Sequence, residues 1–199
     1  MCLLLESIKL QDGKLLNLQY HQNRVNYSFD EIFTGSVKLE LSNIINIPED
    51  CLSGVFKVRV LYDEKNHKVE FIPYTFRNIK SLKIVFDDSV KYSLKYNDRI
   101  KLNDLFAKRG TCDDIIIVRN GLITDSIAAN LVFCDGENWL TPAEPLLKGT
   151  KRQNLIDNKI IAEQEIRLTD LNLFSKVGLI NAMIDFKEMP IIPIEKIEL

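Results

Sequence analysis

Apolar and polar positions alternate along residues 3–10, LLLESIKL, pause at Gln11-Asp12-Gly13-Lys14, and resume over residues 15–18, which predicts a β-hairpin. Residues 21–32 change to helical spacing, with Val25, Phe29 and Ile32 on one face. A mixed connection over residues 37–44 leads to Pro48-Glu49-Asp50, a helix or turn start. Alternation returns over residues 54–62 and 68–71 around Asp63-Glu64-Lys65-Asn66, a second hairpin, and breaks at residues 73–78. The break sets a domain boundary near residues 75–80. Beyond it the pattern predicts a strand over 81–86, then a helix over 100–109 with Leu102, Leu105 and Phe106 inward. A strand over 115–119 ends at the turn pair Asn120-Gly121, and strands over 131–134 and 139–140 flank the turn at Asp135-Gly136. The remainder reads as a helix over 153–162, a strand over 162–168, a brief helix from 171 to 174 and a strand over 176–180. An edge strand and tail follow around Pro190 and Pro193.

Composition narrows the classes. With 199 residues and 46% hydrophobic content the chain can bury one core or two small ones. Lys and Arg number 26 against 28 Asp and Glu, without a basic run, so the electrostatic footprint of a nucleic-acid binder is missing. Cys2, Cys51, Cys112 and Cys134 lack paired spacing, and His21 and His67 are the only histidines, which leaves little for a metal. Free thiols and a cytoplasmic setting are the expectation. The apolar start stops at Glu6, short of a signal peptide, and no window is long enough for a membrane helix.

Chemistry concentrates in residues 121–152, GLITDSIAANLVFCDGENWLTPAEPLLKGTKR. Asp125 stands before the small residues Ser126, Ala128 and Ala129. Thr141-Pro142 closes a strand, and Leu147-Lys148-Gly149-Thr150-Lys151-Arg152 runs into the helical pattern. A glycine turn that opens a helix presents backbone N–H groups, a ready anion site.

In order and spacing, Asp125, Asn130, Thr141-Pro142 and Leu147-x-Gly149-x-x-Arg152 resemble the signature of class IV aminotransferases, the pyridoxal-phosphate enzymes of fold type IV. Leu5-Glu6-Ser7-Ile8-Lys9 and His21-Gln22-Asn23-Arg24 resemble that family's first strand and following helix. The resemblance implies an α+β fold of two domains: residues 1–77 a small α+β domain, and residues 78–199 a larger pseudo-barrel carrying the Schiff-base lysine. The cofactor, pyridoxal 5'-phosphate, is expected between them, in a homodimer.

The family's lysine lies a few residues before an arginine and a helix, and Lys95 fits: Arg99 follows, and Asp125 comes 30 residues later. Asp125 would pair with the pyridine nitrogen, although most of the family has Glu there. Arg24, the backbone of Gly149, Thr150 and Lys151, and Asn181 would hold the phosphate. Lys9 is the candidate partner for a substrate carboxylate. Within the class, Asn181-Ala182-Met183 and Arg99 resemble 4-amino-4-deoxychorismate lyases, which release pyruvate and leave p-aminobenzoate for folate synthesis. A branched-chain or D-amino-acid transaminase is the alternative, and a non-catalytic cofactor-binding protein a third.

Overall fold

The first alternation becomes β1, Leu4–Gln11, in a computed structural model that describes residues 2–199. Leu4, Glu6, Ile8 and Leu10 are all fully buried, one face of a period-two strand. Asp12 and Gly13, at φ 48° and 75°, supply the positive-φ pair of a tight hairpin turn into β2, Lys14–Leu15. Asn17, at φ 56°, reverses the chain into α1, Leu18–Ile32, which starts three residues before the predicted helix. After α2, Leu41–Ile44, and a single 3-10 turn at Glu49–Cys51, β3 (Val55–Tyr62) and β4 (His67–Pro73) form the second hairpin. The carboxylate of Asp63 closes that hairpin by accepting from the N–H groups of Lys65 and Asn66, 2.8 Å each. The sheet runs β2-β1-β3-β4, and α1 packs Val25 and Phe29 onto Ile8, Val58 and Tyr62.

β2 pairs only with Leu10 and Gln11, and the Leu16 N–H adds one bond to the Lys9 carbonyl, so the first half of β1 keeps an open edge. A later segment fills it. The N–H of Leu5 donates to the Lys95 carbonyl and that of Asn97 to the Leu3 carbonyl, 2.9 Å each, and Leu4 bridges Tyr96 antiparallel. The chain accordingly divides into two units: the residues up to Phe76 with Leu94–Asp98, and Arg77–Ser93 with Arg99–Leu199. This corrects the expected division at one point. Lys95, assigned to the second domain, has its contacts in the first unit because an exposed strand edge recruits it.

In the second unit β5 (Leu82–Phe86) lies parallel to β6 (Asp114–Arg119), with α3 (Ile100–Ala107) between them in sequence. Asn120 and Gly121, φ 52° and 76°, return the chain as β7, Leu122–Ile123. The second sheet is built from β8 (Asn130–Cys134), β9 (Trp139–Pro142), β10 (Ala162–Gln164), β11 (Lys176–Ile180) and β12 (Ile191–Pro193), with α4 (Thr150–Asp157) between β9 and β10 in sequence. Its order is β10-β9-β8-β11-β12, and β13, Ile197–Glu198, completes the other sheet as β13-β5-β6-β7. Ile84, Ile116 and Val118 of one sheet share a core with Leu131, Phe133, Val177 and Leu179 of the other. Two sheets turned onto one core give the expected pseudo-barrel and a mixed α+β architecture.

Two expected elements are shorter. The helix predicted over 153–162 is α4, which begins directly after Gly149 and stops before Lys159, whose φ of 57° is left-handed. The strand predicted over 162–168 is only β10, because the Asp170 carboxylate accepts from the Arg167 N–H and starts a 3-10 run, Leu168–Leu173. Among the described residues no helix is long and apolar enough to cross a membrane.

Candidate active site

Glu6 in the first unit and Asp125 in the second are buried acids that each organise their neighbours. In the first unit Glu6 projects from β1 with the buried parity of Leu4 and Ile8, toward α1. There His21 and Arg24, three residues apart, lie on one helix face. Arg24 donates from Nε to Oε1 at 2.8 Å and from Nη2 to Oε2 at 2.6 Å, a side-on bidentate pair. The Nδ1 of His21 lies 2.6 Å from Oε2. Burial alone would push the Glu6 carboxyl up, but the Arg24 charge and the hydrogen bonds from His21 and Arg24 outweigh it and hold it at about 2. Because Glu6 is therefore ionised, Nδ1 of His21 is the donor. Burial pushes the His21 imidazole below its usual range against the pull of Glu6, and the Arg24 and Lys95 charges push the same way. Lys95, half-buried, is thus electrostatically close to this cluster.

The sequence reading gave Arg24 a role but none to the acid that grips it. A charged residue at a buried position of an alternating strand was the signal. Lys9 lies on the opposite face of β1, almost wholly buried, directly across from Lys57 of β3, with its Nζ 6.0 Å from the Phe76 ring centre. Two pairs along, opposite Ser7, Arg59 is engaged by Glu70 and Asn97 at 2.7 Å each.

In the second unit Asp125 is buried just before a tight turn, closed by the Ser126 N–H donating to the Ala129 carbonyl. Asn130 Nδ2 donates to its Oδ1 at 2.7 Å and the Leu147 N–H to its Oδ2 at 2.9 Å. Burial pushes the carboxyl up to about 7; the neutral donors and the more distant Arg152 charge only moderate this. Gly149 occupies ordinary extended backbone, φ −70° and ψ 145°. Its need to be glycine is steric: a Cβ there would sit 2.0 Å from Oδ1 of Asn130.

Thr150, the first residue of α4, is buried. The Lys151 side chain is mostly covered and its Nζ lies 3.8 Å from Asp185. Arg152 is inside the protein, donating from Nη2 to the Pro142 carbonyl at 2.8 Å and to Glu163 at 2.6 Å, so it ties α4 to β9 and β10. Asn181 caps its own turn by accepting from the Met183 N–H at 2.9 Å, and donates to the Ala128 carbonyl at 3.2 Å. The second unit therefore assembles Asp125, Asn130, Gly149 and Thr150 around one loop and links Asn181 to the turn after Asp125. Lys95, Arg24 and Lys9 belong to the first.

A two-sheet core, a buried acid strapped to a glycine turn and a helix opening at that turn define the class. The family model for amino-transferase class IV matches residues 87–197, and this chain belongs to that family. A Haemophilus influenzae protein, itself uncharacterized, is 36% identical over 182 residues, 90% of this chain and 97% of its own. A crystal structure from Haemophilus somnus 129pt, provisionally named a 4-amino-4-deoxychorismate lyase, is 34% identical, covers 92% of this chain and 97% of its own, and superposes with a TM-score of 0.88. A hypothetical aminotransferase of Mycobacterium tuberculosis, solved with pyridoxal phosphate bound, is 17% identical with a TM-score of 0.78 over 96% of this chain and 80% of its own, a likeness of fold alone.

Proposed function

We propose that this protein is a pyridoxal-phosphate-dependent lyase that converts 4-amino-4-deoxychorismate to p-aminobenzoate and pyruvate. The observation that carries the cofactor is Asp125: a buried carboxyl pushed up to about 7, held by two neutral donors, whose charge calls for a cationic partner such as a protonated pyridine nitrogen. The neighbouring Ser126 Oγ is buried without a hydrogen-bond partner, which a ligand in this region could supply. The residues thus fit the group. Asp125 would hold the ring nitrogen, and Thr150, Lys151 and Asn181 with the N–H groups at the start of α4 would hold phosphate.

From the first unit the reading takes Arg24 as a further phosphate donor, aimed by Glu6, and Lys95 as the amine that anchors the cofactor and moves the substrate proton. Lys9 is assigned to a substrate carboxylate. When bound, pyridoxal phosphate supplies an electron sink for the substrate's bond cleavage. The lyase reading over the transaminase one rests on similarity across nearly the whole length of the Haemophilus somnus protein.

The test is direct. Purified protein given the cofactor and 4-amino-4-deoxychorismate should release p-aminobenzoate and pyruvate in equal amounts, and Lys95→Ala should abolish both. Steady glutamate formation from an amino donor and 2-oxoglutarate would replace this reading with a transaminase. The same proposal carries a homodimer, and a monomeric mass with full activity would remove that part.

A further inference from the structure

Asn130 carries a role that the proposed reaction leaves unassigned. Its amide sits at the start of β8, paired with Ile180 of β11, and the residue also bridges Asp125 antiparallel. Both Nδ2 protons are used, one on Asp125 Oδ1 at 2.7 Å and one on the Leu147 carbonyl at 2.8 Å. The reverse orientation would set Oδ1 against two acceptors, so the network fixes the amide. Its Oδ1 then lies where a Cβ on residue 149 would come within 2.0 Å. Leu147 meanwhile returns its own N–H to Asp125 Oδ2 at 2.9 Å. Acid, amide and the loop ahead of α4 form one closed hydrogen-bonded ring.

We propose that Asn130 is a positioning residue that locks the Asp125 carboxyl to the Gly149-Thr150 turn, so that the two anchors for an aromatic phosphate ligand keep one fixed spacing. The inference rests on the proposed cofactor site. No other side chain of similar size serves. Aspartate would place an acceptor against both acceptors and a second charge beside Asp125, and leucine would offer no donor. Glycine at 149 is the other half of the device, because any side chain there would displace the amide.

The full-length protein without cofactor reports on this through the Asp125 carboxyl, followed by carbon NMR, and through titration with pyridoxal phosphate and, separately, inorganic phosphate. In Asn130→Ala the Asp125 titration should move upward and affinity for both ligands should fall about tenfold, the weight of one charge-assisted hydrogen bond. Gly149→Ala should weaken both ligands in the native background, yet add little in the Asn130→Ala background, where the obstructing oxygen is gone. Asn130→Asp should be worse than Asn130→Ala, although its shape is closer.

An unchanged Asp125 titration in Asn130→Ala, or equal damage from Gly149→Ala in both backgrounds, would overturn the proposal. Because Gly149→Ala is read by difference, general destabilisation by either single change cancels in the cycle. If no p-aminobenzoate forms with the native enzyme, the reaction is wrong, but these titration and binding readouts, which need no turnover, still stand or fall by themselves.

Discussion

Glu6 and Asp125 are both buried carboxyls, yet one is held at about 2 and the other is pushed up to about 7. Burial raises both. The difference lies in their company: Glu6 has a bidentate arginine and a histidine, whereas both direct donors to Asp125 are neutral. A buried carboxylate with cationic partners is complete within the chain, and one with neutral donors retains an unmet demand for positive charge. On the proposed function Glu6 serves to aim Arg24, and Asp125 is half of a pair whose other half arrives with a ligand.

The largest expected effect comes from breaking the complete pair. Arg24→Met leaves the Glu6 charge buried with only His21, which should cost about 3–5 kcal/mol of stability in urea unfolding at neutral pH. The sign of the pH dependence should also reverse. In the native protein the folded pKa of Glu6 is below its unfolded value of 4.5, so its contribution is present above 4.5 and lost as pH falls through about 2. In Arg24→Met burial prevails, the folded pKa rises above 4.5, and stability is regained on acidification.

Next in size is the penalty at Asp125. Its folded pKa is raised from 3.8 to about 7, so its stability is fully present below 3.8 and is lost as pH rises through 7 in the ligand-free protein. The difference is on the order of 4 kcal/mol at 1.36 kcal/mol per unit. His21, held below 6.5, acts in the opposite sense over part of that window, so the native profile alone is ambiguous. Asp125→Asn isolates the term: its stability should lack the decline between pH 4 and 7 seen on subtracting the two profiles. An unchanged difference across that range would falsify the assignment of the raised carboxyl.

Much of this arrangement is legible in the chain. Alternation located β1 and β3, apolar runs bounded by turn residues located β6 and β8, and ordered spacing from Asp125 to Arg152 located the loop that holds the second acid. Three features required tertiary information. The pairing of Lys95 with β1 depends on how short β2 is, a property of register rather than of local pattern. Gly149 looked like a conformational glycine but is a steric one, since the atom that excludes a side chain comes from 19 residues away. Arg152 matched the motif and could be taken for an exposed cation, while in fact it is spent on Pro142 and Glu163 inside the protein.

A smaller effect sharpens the contrast within the first acid's shell. His21→Phe removes one of three donors to Glu6 while Arg24 remains bidentate, so it should cost about 1.5–3 kcal/mol, the range for a hydrogen bond to a charged group. The Glu6 pKa should rise, so acid unfolding begins at higher pH. On the proposed phosphate role of Arg24, phosphate affinity should fall only as far as Arg24 loses its fixed aim.

The smallest stability effect is expected at Lys151, and its smallness is what makes it informative. Its Nζ is 3.8 Å from Asp185, whose side chain is 46% exposed, so the pair is worth about 0–1 kcal/mol. Lys151→Met keeps most of the covered aliphatic volume, and urea unfolding should hardly change. Ligand binding is another matter. If the first turn of α4 receives phosphate, loss of this charge should weaken pyridoxal phosphate and inorganic phosphate by a similar factor, and added salt should narrow the gap between variant and native protein. Unchanged affinity for both at low salt would remove Lys151 from the proposed phosphate site. Loss for pyridoxal phosphate alone would instead place Lys151 nearer the ring than the phosphate.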